Sequence, residues 1–155
     1  MSTPMKTIII DDAQYLMANQ FMRDANKVGY QKYTDLANNF WMLIQTVIND
    51  MPEDKTVYFM MHIEVDAHGR EKVKTIGKLL DEKITLEGLF TVVLKTVVKE
   101  GNYYFSTRNN GADTVKTPIG MFDDTLIEND LKHVDNTIRE YYGLVDSAHP
   151  VAETA

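Results

Sequence analysis

Two adjacent carboxylates stand at the end of Lys6-Thr-Ile-Ile-Ile-Asp-Asp12. Three consecutive β-branched apolar residues ahead of them read as a short strand buried on both faces, the kind found inside parallel sheets. Asp11 and Asp12 would then lie at the carboxyl end of that strand, where open α/β sheets place their ligands. One carboxylate at such a position can hold Mg²⁺, which needs hard oxygen ligands and keeps several waters. A second can position an attacking water. The same pair also reads as an ordinary loop start or helix N-cap. The usual partner of such a strand is absent. No Gly-x-x-x-x-Gly-Lys-Ser/Thr string occurs, and Gly77-Lys78 is followed by Leu79. The backbone cradle and lysine that hold β- and γ-phosphates are therefore missing.

Further along, His62, Glu64, Asp66 and His68 alternate. In an unbroken strand all four would share one face, a donor set suited to Zn²⁺ or Mn²⁺. The run meets Ala67-His68-Gly69, where a strand should end, which favours ordinary surface residues. His62 alone, at the end of a strand near Asp11, could sense bound phosphate. Arg70, Lys72, Lys74, Lys78 and Lys83 form a basic cluster interrupted by Glu71, Asp81 and Glu82. It is a candidate contact for nucleic-acid phosphates or an acidic partner, or a solvated face. Arg108 and Lys116 flank a Gly/Asn loop, a setting from which cations reach a neighbouring subunit's nucleotide. No Ser/His/Asp arrangement and no Gly-x-Ser-x-Gly string occurs.

The elements that must position these groups alternate between strand and helix. Helical text runs from Ala13 to about Lys27, with Gly29 as a stop. A second helix has Thr34 as a plausible N-cap. Its apolar stripe is Leu36, Phe40, Leu43, Ile44, Val47 and Ile48, and Pro52 closes the segment. Thr56 to Ile63 reads as a buried strand, so strand, helices, strand forms a parallel crossover unit. Residues 66–83 read as a loop, with a hairpin or a short helix near Ile76 to Leu80. One helical turn is expected at Leu86 to Phe90 and a strong strand at Thr91 to Val98. Glu100-Gly101-Asn102 turns into Tyr103-Tyr-Phe-Ser-Thr107 as a hairpin. Lys116 to Phe122 should stay irregular because of Pro118 and Gly120. A last helix is expected from about Asn129 to Tyr142, ended by Gly143.

Composition bounds the rest. The 155 residues carry 16 Lys+Arg against 23 Asp+Glu, a formal charge of −7, with 44% hydrophobic residues. Wholesale disorder is unlike this composition, and coating nucleic acid by charge alone is unlike this balance. There is no cysteine, which excludes disulfides, thiolate metal sites and a cysteine nucleophile. No apolar run approaches the roughly 20 residues of a membrane span, and the opening Met-Ser-Thr-Pro-Met-Lys has no leader-like apolar core.

Taken together, the motifs resemble the carboxyl-terminal half of the phage-encoded RecA-like P-loop ATPases associated with recombination and single-strand annealing. Four stretches carry the likeness: Thr7 to Met17; Lys74-Thr-Ile-Gly-Lys-Leu-Leu-Asp-Glu-Lys-Ile-Thr-Leu-Glu-Gly88; Tyr103-Tyr-Phe105 with Asn110-Gly111; and Val115 to Phe122 running into Asn129-Asp-Leu-Lys132. It covers about Lys6 to Gly143. The resemblance implies an α/β ATPase core at residues 1–143, with residues 144–155 as a loose tail. It implies Mg²⁺ and ATP as the parent family's cofactors, oligomeric action on single-stranded DNA, and the cytoplasm of a bacterial host as the location. In that frame Asp11 resembles the Mg²⁺-coordinating acid of the Walker B strand, with Asp12 beside it. His62 resembles the polar residue ending the next core strand, and Lys116 a cation acting in trans. Without the phosphate-binding loop, no independent catalysis is expected and the chain alone could hold no cofactor at all. Two other readings stand beside an ATPase half. One is a stand-alone acidic phage protein that binds and inhibits a host defence factor, such as a CRISPR nucleic-acid-binding complex. The other is a self-associating module of a recombination complex.

Overall fold

The computed structural model describes residues 5–144. Helices and strands are mixed, and the sheets are small: two of two strands and one of three. This is a general α/β arrangement. The first strand, β1 (Thr7–Ile10), pairs in parallel with β2 (Thr56–Phe59), in the register Thr7 to Thr56 through Ile10 to Phe59. Between them run α1 (Gln14–Arg23) and α2 (Gln31–Asp50). Parallel pairing requires such a crossover, because the chain must return to the same end of the sheet.

The two faces of the β1–β2 pair meet two separate cores. Ile10 and Phe59 pack with Met17, Leu36, Phe40 and Ile44 of the helices. Tyr58, on the other face, packs with Val134 and Ile138 of α3 (Leu131–Tyr141). The expectation of a strand buried on both faces is corrected at Ile9, which is 52% exposed. Among the described residues one strand flanks β1, and Ile9 belongs to neither core.

The α2 stripe buries Leu36, Phe40 and Ile44 as its spacing predicts and half-buries Leu43 and Val47, but Ile48 at its end is exposed. The helix begins one turn before the expected cap. Thr34 lies inside it, its N–H bonded to the carbonyl of Tyr30 at 3.3 Å, and Gln31 supports the first turn through Asp35 at 2.7 Å. Gly29, at φ +95°, makes the break between the helices, a conformation that glycine adopts without steric cost.

The single strand expected from Thr56 to Ile63 is two. After Phe59 the chain leaves the parallel pair and enters β3 (Ile63–Val65), antiparallel to β4 (Glu71–Val73). The Asp66 carboxylate closes the connecting turn, accepting from the N–H groups of His68 at 2.8 Å and Arg70 at 2.9 Å. Aspartate at a turn start stabilises this geometry from its own side chain. A π-helical turn (Leu79–Ile84) and a 3₁₀ turn (Leu86–Leu89) follow, burying Leu80 and Leu86 against α2.

The strand expected from Thr91 enters a regular ladder only at β5 (Lys95–Lys99). Residues 91–94 hold one bridge, Val93 to Lys116. β5 turns into β6 (Asn102–Ser106) through Glu100 and Gly101, at φ +52° and +80°. Two successive positive values are what a two-residue hairpin turn requires. β6 also pairs with β7 (Leu126–Glu128), three residues whose length leaves no alternation to read from sequence. Helix α3 is capped by Asp130, whose side chain accepts from Lys132 and His133. Most of the expected tail at 144–155 lies outside the described residues. Among the described residues, no helix is long and apolar enough to cross a membrane.

Candidate functional site

The carboxyl ends of β1 and β2 are held side by side by the backbone. Met60 donates to Ile10 at 3.0 Å, and Ala13 donates back to Met60 at 2.9 Å. This clamp places the residue after each strand's last hydrogen bond at one edge. Asp12 turns there with φ +49°, a left-handed conformation uncommon for a residue with a Cβ. Its Oδ1 lies 3.0 Å from His62 Nε2 and accepts from Gln14 Nε2 at 3.3 Å. The Gln14 side-chain Oε1 in turn accepts from the His62 backbone N–H at 3.3 Å. Gln14 is buried, and the Tyr15 ring meets the His62 imidazole edge-on at 6.3 Å. A buried amide thus bridges the exposed Asp12 carboxylate and the His62 backbone, and the imidazole stays exposed. Asp11, beside them, is exposed and makes no hydrogen bond or ion pair among the described residues.

Asp12 and His62, nominated from sequence, are therefore brought into contact across 50 residues. Gln14 and Tyr15, missed by sequence reading, complete the group. The only signal for them was their place in the first turn after the acids. The other nominated residues lie elsewhere. Lys116 sits on the Val93 bridge, and its Nζ is 3.5 Å from the Gly88 carbonyl. Arg108 donates to the Asp123 carbonyl at 2.8 Å. In the basic cluster, Arg70 pairs with Asp66 at 3.1 Å, Lys78 with Glu82 at 3.7 Å, and Lys72 with Asp81 and Glu64. The Asp81 hydrogen bond holds the Lys72 ammonium above its ordinary range. The Arg70 backbone bond is the first of the contacts that hold the Asp66 carboxyl below its own. Lys74 and Lys83 keep side chains without a carboxylate partner among the described residues.

The alternating set His62, Glu64, Asp66 and His68 does not converge. His62 faces Asp12, Glu64 faces Lys72, Asp66 closes its own turn, and His68 lies in that turn. Among the described residues no group of three His, Cys, Asp or Glu is placed to hold a metal.

Two polar centres were not visible in the sequence. The first joins α3 to the amino ends of β1 and β2. The Asp135 carboxylate accepts from Thr7 Oγ1 at 3.0 Å, Tyr58 OH at 2.9 Å and Arg139 Nε at 2.9 Å. Arg139 also donates to the carbonyls of Lys6 and Asp54, each at 3.0 Å. Burial acts to raise the Asp135 carboxyl, but the bonds from Arg139, Tyr58 and Thr7 outweigh it and hold it low. Burial and the Asp135 acceptor push the Tyr58 phenol well above its ordinary value. The second centre is Lys95, between Glu71 and a nearly inaccessible Asp113. Those two carboxylates raise the Lys95 ammonium, the Glu71 hydrogen bond first.

No family model, no curated protein and no solved structure matches this chain.

Proposed function

We propose that this chain is the Walker B-bearing half of a nucleotide-dependent ATPase that works on single-stranded DNA within an oligomer. The observation that supports the reading is the contact of Asp12 with His62 at the carboxyl ends of two parallel neighbouring strands. In an α/β sheet that edge is where a ligand binds. The acid–imidazole pair there suits water positioning and sensing of a terminal phosphate.

The residues present fit one part of such a site and not the other. Asp11 has a free, exposed carboxylate beside the pair, and Mg²⁺ is commonly held by one or two carboxylates with waters and substrate phosphates completing its shell. No glycine-rich phosphate cradle exists in the sequence, so phosphate binding must come from a polypeptide segment outside it. In this reading Asp11 binds the metal, His62 and Gln14 orient Asp12, and Asp12 holds the attacking water. Lys116 extends toward a neighbouring subunit.

Titration calorimetry with Mg²⁺-ATP tests this. Weak binding that disappears in Asp11→Ala is expected, with no turnover by the chain alone. Binding of equal strength in the wild type and Asp11→Ala would overturn the metal role. The same holds for unaided turnover insensitive to Asp12→Asn.

A further inference from the structure

A cavity of about 720 Å³ lies along the edge of β2 that does not face β1. One wall is formed by residues 56–63 without interruption, and residues 90–96 run just as continuously through its lining. A surface seen from a strand's face shows every second residue, because side chains alternate. A surface lined by every residue in turn is a strand's edge. The cavity therefore lies between two extended backbones.

Their hydrogen bonding agrees. Thr56 and Met60 donate to Lys6 and Ile10 of the β1 side, so by alternation the N–H groups of Val57 and Phe59 point the opposite way. On the other backbone, Val93 exchanges both its bonds with Lys116, at 2.8 and 3.0 Å. Val92 and Leu94 must then point away from Lys116, and neither makes a backbone hydrogen bond among the described residues. Two rows of unpaired peptide groups thus border a largely apolar space, which Glu71, Glu87, Lys95 and Asp113 also line, and covering such groups without a partner is costly.

We infer that this cavity is a slot for one extended peptide segment, inserted as a strand between β2 and residues 90–96. The side chains around it define the occupant. Leu86 and Phe90 belong to the α1–α2 core, while Leu131 and Ile138 belong to the α3 core. An inserted strand would bury both its faces, so it must be a continuous run of about five or six apolar, β-branched residues. The stretches of this chain outside the described residues, 1–4 and 145–155, contain no such run. The occupant is therefore a strand from another polypeptide segment. The slot runs beside β2 and does not depend on the nucleotide reading.

The probe is a labelled peptide with a Val-Ile-Val-Leu-Val run flanked by lysines, titrated by fluorescence anisotropy. Saturable binding is expected, with amide exchange slowed at Val57, Phe59, Val92 and Leu94. The same peptide N-methylated at alternate residues keeps its side chains but loses donors on one edge, and should bind about tenfold or more weakly. Val92→Asp should abolish binding in a chain whose circular dichroism is unchanged, whereas Ile9→Asp should not affect it. Equal binding of both peptides would overturn the inference, showing an apolar pocket without strand pairing. So would absence of binding to a folded chain, or a dimer in light scattering that the peptide does not disturb.

Discussion

The two ends of the β1–β2 pair carry similar chemistry in opposite settings. At the amino end, Asp135 and Arg139 are nearly covered, with side chains 15% and 10% exposed, and tie α3 to both strands. At the carboxyl end, Asp12 and His62 meet at a similar distance but are 51% and 60% exposed. The covered end is saturated: every Asp135 oxygen and most Arg139 donors have protein partners. The open end leaves Asp11 free and the imidazole facing water. Titratable groups thus divide by burial into those that hold the fold and those available for a ligand.

The largest effect that would break this contrast is at the covered end. Asp135→Ala strands a nearly buried guanidinium and the Tyr58 hydroxyl, and should cost roughly 3–5 kcal/mol in denaturant unfolding. A loss near zero would show that α3 is held by its apolar face alone. Acid sharpens the same point. The Asp135 carboxyl lies below its ordinary value in the folded chain. Its contribution is complete above the unfolded value, about 4, and is lost as pH falls through the folded one. Stability should hold from pH 6 to about 4 as far as this group is concerned and fall as the pH drops further, and Asp135→Asn should flatten that acid limb. The smallest effect belongs to the open end. Asp12→Ala and His62→Ala should each change stability by no more than about 1 kcal/mol, as exposed ion pairs do. A loss above about 2 kcal/mol there would make the pair structural.

How far these features can be read before folding depends on their range in the chain. The α2 stripe, the Glu100-Gly101 turn and the acids closing β1 each depend on neighbours within a few residues. Periodicity and turn chemistry report such features directly. The break after Phe59 was hidden because Val57 to Met61 is an unbroken run of apolar and aromatic residues with no turn former. The chain there is held by non-local bonds instead, the Met60 carbonyl accepting from Ala13 and the His62 carbonyl from Lys74. The basic cluster read as a binding face because its carboxylate partners are scattered; three of its five cations are paired within the fold.

By itself, the sequence determined the local elements: which segments form helices, where the hairpin turns, and that two carboxylates end a β-branched strand without a phosphate cradle. These follow from side-chain period, backbone preference and motif, which act over one or two turns of chain. Only the tertiary structure decided that Thr7, Tyr58 and Arg139 converge on Asp135, that His62 reaches Asp12, and that β2 keeps an open edge against residues 90–96. Thr7 and Tyr58 lie 128 and 77 positions from Asp135 and Asp12 and His62 are 50 apart, while Arg139 is only one helical turn from Asp135. Their geometry comes from how the layers pack, since many partners of suitable type lie along the chain and only packing selects among them.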